Sequence, residues 1–382
     1  MRFDIGCPCC GALSRRNVLR ASLATAVAAG VGTRTFAQAA APAAVDRKAV
    51  PAIDVHAHYF PRSFLELMAS DGGRLNYGAE ITEAGFILKS PTGSVAQPKK
   101  FIDLDLRLAD MDAQGIAVQA LSLTAPMIYW ADADLSHRLA TAWNDAAIAA
   151  HRAHPDRFVV LATLPLLAPD RAVDELNRVS RIPGVRGIYV GTNIDNRDLD
   201  DPLFAPVLAR IAELELPIFL HPLQTVGGRR MQSYYLSNLI GNPVDTAIAA
   251  CHLIFGGVLD RYPNLKFVSV ELGAGWVPYF VWQLDRRFKK FGPMADNKLA
   301  HLPSEYMRKQ VFFTFEIDPI GPRVTRFFGE DNYMWASDYP HSATTWPKSR
   351  AVIADIFSDV PEPIKNKIIS YNCDRLFGMN LS

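Results

Sequence analysis

Eight short strand-like runs alternate with longer helix-like segments along most of this chain. The runs span residues 52–58, 117–123, 158–164, 185–190, 217–221, 266–270, 311–316 and 333–337. Alternation of strand and helix is typical of α/β folds with parallel strands, and eight units predict a closed (β/α)8 TIM barrel rather than an open sheet. No G-x-G-x-x-G or G-x-x-x-x-G-K-[ST] motif follows a strand, which disfavours a nucleotide-binding fold.

The longest interruption of this alternation follows the first predicted strand, at about residues 60–100. Within it, residues 80–88 (EITEAGFIL) and the turn residues Pro91-Thr92-Gly93 predict a small hairpin. At the other end of the chain, the pattern after Pro361 is helical. It predicts a C-terminal helical tail that packs on the barrel.

The N-terminus carries the features of an export signal. Residues 14–20 (SRRNVLR) resemble the twin-arginine signal S-R-R-x-F-L-K, a modestly apolar stretch covers residues 21–32, and Ala37-Gln38-Ala39 is a small-x-small cleavage site. The alternative is a chance arginine pair before an apolar core or membrane helix, but this stretch is too short to span a bilayer. We therefore expect the twin-arginine export machinery to carry the protein to a periplasmic or extracellular location.

These features divide the chain into a signal peptide at residues 1–39, a linker at 40–50 and one barrel domain at 51–382. Forty basic and 39 acidic residues give a net charge of +1, and no basic run marks a surface for nucleic acid or anionic membranes. A small-molecule substrate is therefore expected.

After cleavage only Cys251 and Cys373 remain; they permit one disulfide, but buried free thiols are the favoured interpretation.

Polar side chains stand at the carboxyl ends of several predicted strands, where a TIM barrel builds its active site. His56 and His58 close the first strand and face the same side, being two residues apart. His221 closes the fifth strand and Asp338 follows the eighth. Each feature alone is weak, because an H-x-H pair is often chance and an isolated Asp is often a helix cap. Their agreement in position predicts one divalent metal ion, with zinc favoured.

This arrangement of histidines and aspartate resembles the amidohydrolase superfamily, and within it the amidohydrolase-related family 2. It is similar to the branch that contains aminocarboxymuconate semialdehyde decarboxylase and the resorcylate-type decarboxylases. The resemblance covers nearly the whole chain from about Pro51. It is carried by IDVHAHYFP (53–61), WND (143–145), HPDRF (154–158), GVRGI (184–188), YPNLKF (262–267) and ASDYPH (336–341).

The resemblance implies that His56, His58, His221 and Asp338 bind the metal and leave one position open for water. Superfamily members with two metals usually bridge them through a lysine at the end of the fourth strand. This chain has Val190-Gly191-Thr192 there, so a single metal is implied. Homodimers are usual among the relatives, which makes a homodimer an expectation here.

One position departs from the decarboxylase branch, where the sixth strand commonly ends in a histidine that acts as acid and base. This chain has Glu271 instead. A carboxylate can deprotonate a water bound to the metal, provided that burial raises its own pKa, and a catalytic base is the favoured interpretation. Two other roles for Glu271 stay open: it could be an extra metal ligand, or it could orient a ligand histidine.

Gln283 also stands where relatives often carry an arginine for the substrate carboxylate. Arg286 or Arg287 could replace that arginine, although surface ion pairs are the plainer interpretation.

Other residues near the predicted mouth have both functional and structural interpretations. His341 could contact substrate or cap its loop, and Glu316 could reach the mouth or remain a solvated loop carboxylate. Aromatic residues on the rim loops could line a substrate pocket, although most aromatic side chains simply belong to the core. They are Phe60, Tyr129, Trp130 and Trp276.

Two reactions fit such a site. In a metal-dependent decarboxylase, a small unsaturated or aromatic carboxylate loses CO₂, with Glu271 and Asp338 as the catalytic residues. In a hydrolase, a water bound to the metal attacks an ester, lactone or amide while Glu271 moves the proton. The resemblance favours decarboxylation, whereas Glu271, Gln283 and the export signal favour hydrolysis. A non-catalytic barrel that only binds a metal or ligand is the third possibility, because fold alone does not determine function.

Overall fold

The eight predicted strands form a single parallel sheet that curves into a barrel. The structure is a computed structural model that describes residues 50–223, 226–292 and 298–379. Neighbouring strands of the barrel follow one another in chain order, which confirms the predicted α/β TIM barrel. The barrel strands are Ala52–His58, Ile116–Ser122, Phe158–Ala162, Val185–Gly191, Ile218–His221, Phe267–Ser269, Val311–Phe315 and Tyr333–Trp335.

The barrel closes where the eighth strand meets the first. The Asp338 N–H donates to the His56 carbonyl at 3.1 Å, and the His58 N–H donates to the Tyr339 carbonyl at 2.7 Å. Ala57 and Tyr339 form the parallel bridge between these segments. The closure therefore places the residues that follow the eighth strand directly beside the two histidines of the first.

Helices connect the strands and pack on the barrel through apolar faces. In the longest helix, the apolar residues Leu135, Leu139 and Trp143 recur every four positions and are all buried. Asp132 begins this helix by accepting the Leu135 N–H. The helices in the described residues are Arg62–Asp71, Leu104–Gln114, Ala133–Ala153, Pro169–Val179, Ala205–Glu213, Asn242–Phe255, Val258–Arg261, Val277–Phe291, Pro303–Gln310, Gly321–Phe328, Ser349–Ile356, Glu362–Asn366 and Asn372–Phe377.

The insertion after the first strand is larger than the predicted hairpin. Besides the helix Arg62–Asp71, it contains a three-stranded antiparallel sheet of Gly78–Thr82, Gly85–Ser90 and Gly93–Pro98. The first two of these strands are the predicted hairpin. The third, GSVAQP, is mostly exposed, so it lacks the alternation of apolar and polar residues that marks a half-buried strand.

The predicted C-terminal tail is confirmed, because a π-helical turn at Lys367–Tyr371 packs against the first and eighth barrel strands.

Within the described residues no helix is both long and apolar enough to cross a bilayer. Cys251 and Cys373 are free thiols, as expected; Cys373 is buried, whereas Cys251 is only partly buried. The predicted signal peptide and most of the linker lie outside the described residues.

The buried side chain of Asn144 forms hydrogen bonds that link the longest helix to the segment after the third barrel strand. The Asn144 side-chain amide donates to the Thr163 carbonyl at 3.0 Å and to Glu175 Oε1 at 2.7 Å, and its oxygen accepts the Thr163 N–H at 3.0 Å. All three residues are buried. Removing the amide therefore leaves polar groups inside the protein without partners, which is costly.

Replacing Asn144 with alanine should lower the free energy of unfolding by about 1–3 kcal/mol, because the buried groups of Thr163 and Glu175 lose their partners. Urea unfolding measures this change. The adjacent Asp145 is a matched control, since its exposed carboxylate pairs with Arg178 at 2.7 Å. Asp145→Ala should cost less than about 1 kcal/mol. Equal losses in the two variants would contradict the role given to Asn144.

Candidate metal centre

Three imidazoles and two carboxylates meet at the carboxyl ends of the barrel strands. One ligand atom from each of His56, His58, His221 and Glu271 lies within 4.8 Å of the others. Asp338 Oδ1 lies 3.1 Å from His58 Nε2 and 3.5 Å from His56 Nε2. The structure thus places three of the four predicted ligands in one group with Glu271, and Asp338 beside two of these histidines. We call these five residues the mouth cluster.

The two carboxylates of the mouth cluster approach the imidazoles closely. Glu271 Oε2 lies 2.5 Å from His221 Nε2 and 3.7 Å from His56 Nε2. Glu271 and Asp338 both have left-handed backbone conformations, with φ of 71° and 58°. Such a conformation is strained for a residue other than glycine, at a cost of about 1–3 kcal/mol, and persists only where the surroundings enforce it. The surrounding loops must therefore hold both carboxylates in place.

Two polar side chains orient the imidazoles of the first strand. The Tyr189 hydroxyl lies 3.1 Å from His56 Nδ1, and the Ser122 hydroxyl lies 3.2 Å from His58 Nδ1. A partner on Nδ1 fixes the ring so that Nε2 faces the centre of the cluster, as in many metal sites. Sequence reasoning missed both residues. The available signal was their position at or near the ends of the second and fourth barrel strands.

A buried charged network supports the cluster from below. The Asp54 carboxylate accepts the N–H and hydroxyl of Ser337 and a bond from Gln119 Nε2 at 2.9 Å. Gln119 Oε1 accepts a bond from Arg107 Nη1 at 3.1 Å, and Arg107 also donates to the His58 carbonyl. Burial raises the pKa of Asp54, although the bonds from Ser337 and Gln119 lower it. This network joins the first, second and eighth strands below the mouth.

The atoms that face the centre of the mouth cluster fit a divalent cation. Nε2 of His56 and His58, Oδ1 of Asp338 and Oε2 of Glu271 are buried and lack a hydrogen bond of normal geometry within the described part of the chain. Burial opposes protonation of His56, yet Asp338 and Glu271 raise its pKa to about 10. Burial also opposes charge on Glu271, but the facing His221 lowers its pKa. The negative charge of the two carboxylates is therefore stable only beside positive charge. A divalent ion would supply this charge while the imidazoles stay neutral.

Two further candidates lie next to the cluster. His341 Nε2 is 3.3 Å from Thr124 Oγ1, and its ring centroid is 4.8 Å from that of His58. Glu316 Oε1 is buried without a hydrogen-bond partner among the described residues, and burial raises the pKa of this carboxyl to about 8. The charge of Glu316 interacts with His56 and with both cluster carboxylates. This favours a place at the mouth over a solvated loop.

The aromatic candidates pack mainly within the protein. Phe60 is completely buried and packs on Phe101, whose ring contacts His341. Trp276 is partly buried and packs on a phenylalanine of the seventh strand. Trp130 stacks on a tyrosine of the insertion at 4.3 Å between ring centroids. These contacts favour packing roles for all three side chains.

The arginines considered as carboxylate binders lie on the outer side of their helix. Arg286 and Arg287 are exposed, and the Arg286 guanidinium lies 5.6 Å from the centroid of the Trp282 ring. Gln283 donates to the Tyr279 hydroxyl at 2.9 Å. These contacts agree with an ordinary surface role rather than a place in the mouth.

A cavity of about 470 Å³ lies at the opposite end of the barrel, where the strands begin. Its lining includes Lys266, Arg308 and Arg375, but each of these side chains donates to a backbone carbonyl. The mouth cluster, by contrast, leaves its ligand atoms facing one another. In TIM barrels the chemistry lies at the carboxyl end of the strands, so the mouth is the candidate functional site.

Comparison with known proteins identifies several decarboxylases as similar. The chain is 29% identical to 2-amino-3-carboxymuconate-6-semialdehyde decarboxylase of Dictyostelium discoideum over 341 residues, which cover 86% of this chain and 92% of that protein. Its structure resembles 5-carboxyvanillate decarboxylase of Sphingomonas paucimobilis, with a TM-score of 0.73, 25% identity and coverage of 86% and 99%. It also resembles a variant of 5-carboxyvanillate decarboxylase of Novosphingobium aromaticivorans, which was solved with bound manganese and 3-methoxy-4-hydroxy-5-nitrobenzoic acid. Here the TM-score is 0.71 and the identity 24%, and the match covers 86% of this chain and 97% of that one.

A family model described as amidohydrolase matches residues 53–379, which extend from the first barrel strand to the end of the tail. The matched region covers most of the chain and includes every residue of the mouth cluster. This chain belongs to the amidohydrolase family.

Proposed function

We propose that this protein is a metal-dependent decarboxylase that removes CO₂ from a small unsaturated or aromatic carboxylate. One observation carries the proposal: imidazoles and carboxylates converge at the mouth of a barrel whose similar proteins are decarboxylases. We assign the metal to His56, His58, His221 and Asp338. Such a nitrogen and oxygen ligand set suits zinc, which we propose here. Manganese is the competitor, because carboxylate ligands also suit it and the Novosphingobium protein holds it.

The residues of the chain have separate tasks in this reaction. When bound, the metal polarises the substrate's oxygen atoms and offsets their charge. Glu271 accepts a proton at Oε2 from a substrate hydroxyl or a water, and returns it to the carbon that loses CO₂. The electron pair of the broken carbon–carbon bond thereby ends in a new carbon–hydrogen bond. We assign a substrate contact to His341, and its ring centroid lying 4.8 Å from that of His58 supports this role.

Hydrolysis is the second candidate, and Glu271 is the observation that favours it. This residue puts a carboxylate 2.5 Å from His221 Nε2, where the decarboxylase branch commonly carries a histidine. A carboxylate there can accept the proton of a water that attacks an ester, lactone or amide. A non-catalytic barrel, the third possibility, would bind metal without catalysing either reaction.

The purified protein should release CO₂ from members of a panel of hydroxylated aromatic and unsaturated carboxylates. Treatment with a chelator should abolish this activity, because the mouth cluster needs the metal to balance its buried carboxylates, and zinc or manganese should restore it. CO₂ capture and elemental analysis measure the two quantities. Cleavage of esters or lactones without CO₂ release would favour the hydrolase, and a chain that purifies without metal and binds none would contradict both proposals.

Two carboxylate variants should separate proton transfer from metal binding. Glu271→Gln should keep one metal ion per chain at saturating metal but lose turnover by about 10²–10⁴-fold, because the amide cannot accept a proton. Asp338→Asn should lose both metal and activity, because a neutral amide is a poor ligand in a site that must balance the ion's charge. Elemental analysis and initial rates test both. Full activity in Glu271→Gln, or normal metal content in Asp338→Asn, would contradict the assigned roles.

We also propose that the protein is exported through the twin-arginine pathway, on the strength of residues 14–20. Replacing both Arg15 and Arg16 with lysine should keep the full-length chain in the cytoplasm, as cell fractionation and immunoblotting would show. Arg20→Lys is the matched control, because the signal itself usually carries lysine there, and this variant should be exported normally. Normal export of the double variant would argue against this pathway.

A further inference from the structure

A single carboxylate joins two loops of the barrel mouth. Asp318 Oδ2 accepts the backbone N–H groups of Ala274 and Gly275 at 2.7 and 2.8 Å. Asp318 Oδ1 accepts those of Ile320 and Gly321 at 2.8 and 2.9 Å. The first pair lies in the loop after the sixth strand. In the second pair, Ile320 ends the loop after the seventh strand and Gly321 begins the helix Gly321–Phe328. We call this set of four hydrogen bonds the Asp318 bracket.

The two loops approach so closely that glycine is required at the contact. A Cβ atom on Gly275 would lie 2.8 Å from Ile320 Cβ, and one on Gly321 would lie 3.3 Å from Ala274 Cβ. Gly273 has a φ of +66°, which residues with a side chain rarely adopt. The Asp318 bracket is therefore a tightly packed junction between the loops rather than a contact between mobile surface segments.

The loop that Asp318 holds carries Glu271, only three residues before Ala274. Glu271 combines a strained φ of 71° with a carboxylate 2.5 Å from His221 Nε2. A strained conformation of this kind needs fixed surroundings. On the other loop, Glu316 lies two residues before Asp318 and its charge interacts with Glu271. The bracket thus fixes the loop that sets the position of the Glu271 carboxylate.

We propose that Asp318 is a positioning residue that holds Glu271 at the mouth cluster. The inference rests on the metal site proposed above. A carboxylate suits this task because its two oxygens offer about four acceptor sites and no donor. An asparagine of the same shape retains one oxygen and presents an NH₂ group to two of the four N–H donors. Asp318→Asn should therefore release one of the two loops and allow Glu271 to move.

Titration of the metal-free full chain with Mn²⁺, followed by the electron paramagnetic resonance signal of the free ion, tests this proposal without a substrate. Asp318→Asn should weaken Mn²⁺ binding by about 10- to 100-fold, as is typical when the support of a metal ligand or its neighbour is lost. Glu271→Gln should weaken binding by a similar factor, because Glu271 lies against the proposed ligand His221, although the site should still fill at saturating Mn²⁺. Adding Asp318→Asn to Glu271→Gln should change the affinity by less than about twofold, because the residue through which Asp318 acts is already altered.

Asp132→Asn is the matched control, because Asp132 also accepts a backbone N–H, that of Leu135, at a helix start. It should leave Mn²⁺ affinity unchanged and alter thermal stability little, because an asparagine oxygen can accept the same N–H. If Asp318→Asn does not fold, Gly275→Ala replaces it, because the added Cβ would collide with Ile320 and separate the same loops; the same pattern of affinities is expected.

Unchanged Mn²⁺ affinity in the variant that folds would overturn the proposal, and so would an equal loss with and without Glu271→Gln. In either case the wild-type chain would still bind the ion and the proposed metal site would stand. A wild-type chain that binds neither Mn²⁺ nor Zn²⁺ would overturn the metal site and this inference with it.

Discussion

The hydrogen bonds between the eighth and first strands hold the mouth cluster together. Asp54 and Ser337 are 283 residues apart, yet the buried Asp54 carboxylate accepts both the N–H and the hydroxyl of Ser337. One residue further along, the Asp338 N–H donates to the His56 carbonyl. The same closure that removes the free edges of the sheet therefore places a carboxylate against two imidazoles. Without it, these ligand atoms would belong to separate ends of the chain.

Closing the barrel brings two negatively charged carboxylates, those of Glu271 and Asp338, into a space with little access to water. Both carboxylates are largely shielded from water. Within the described residues they form ion pairs with the imidazoles of His56, His58 and His221. Burying charged groups is costly unless opposite charge lies close by. Protonated imidazoles can supply this charge, but a divalent cation supplies more of it and uses the same inward-facing atoms. The geometry of the fold and its electrostatics thus favour the same occupant.

The sixth-strand loop holds the Glu271 carboxylate beside a histidine of the fifth strand. The Glu271 carboxylate lies 2.5 Å from His221 Nε2, and the Glu271 backbone is in a strained left-handed conformation. The left-handed φ of Glu271, the glycine at 273 and the four bonds to Asp318 together define that position. The neighbouring loop contributes both Asp318 and Glu316, whose charge interacts with that of Glu271.

The sequence by itself determined the barrel, the ends of its strands and the four residues predicted to bind metal, because strand–helix alternation and side-chain periodicity are local patterns along the chain. The same logic missed the third strand of the insertion, since its exposed residues carry no such pattern. Only the tertiary structure decided that Glu271 lies against His221, that Tyr189 and Ser122 orient the imidazoles, and that Asp318 joins two loops. These features depend on distances between residues far apart in the chain and on strained backbone angles, which no local pattern of residues encodes.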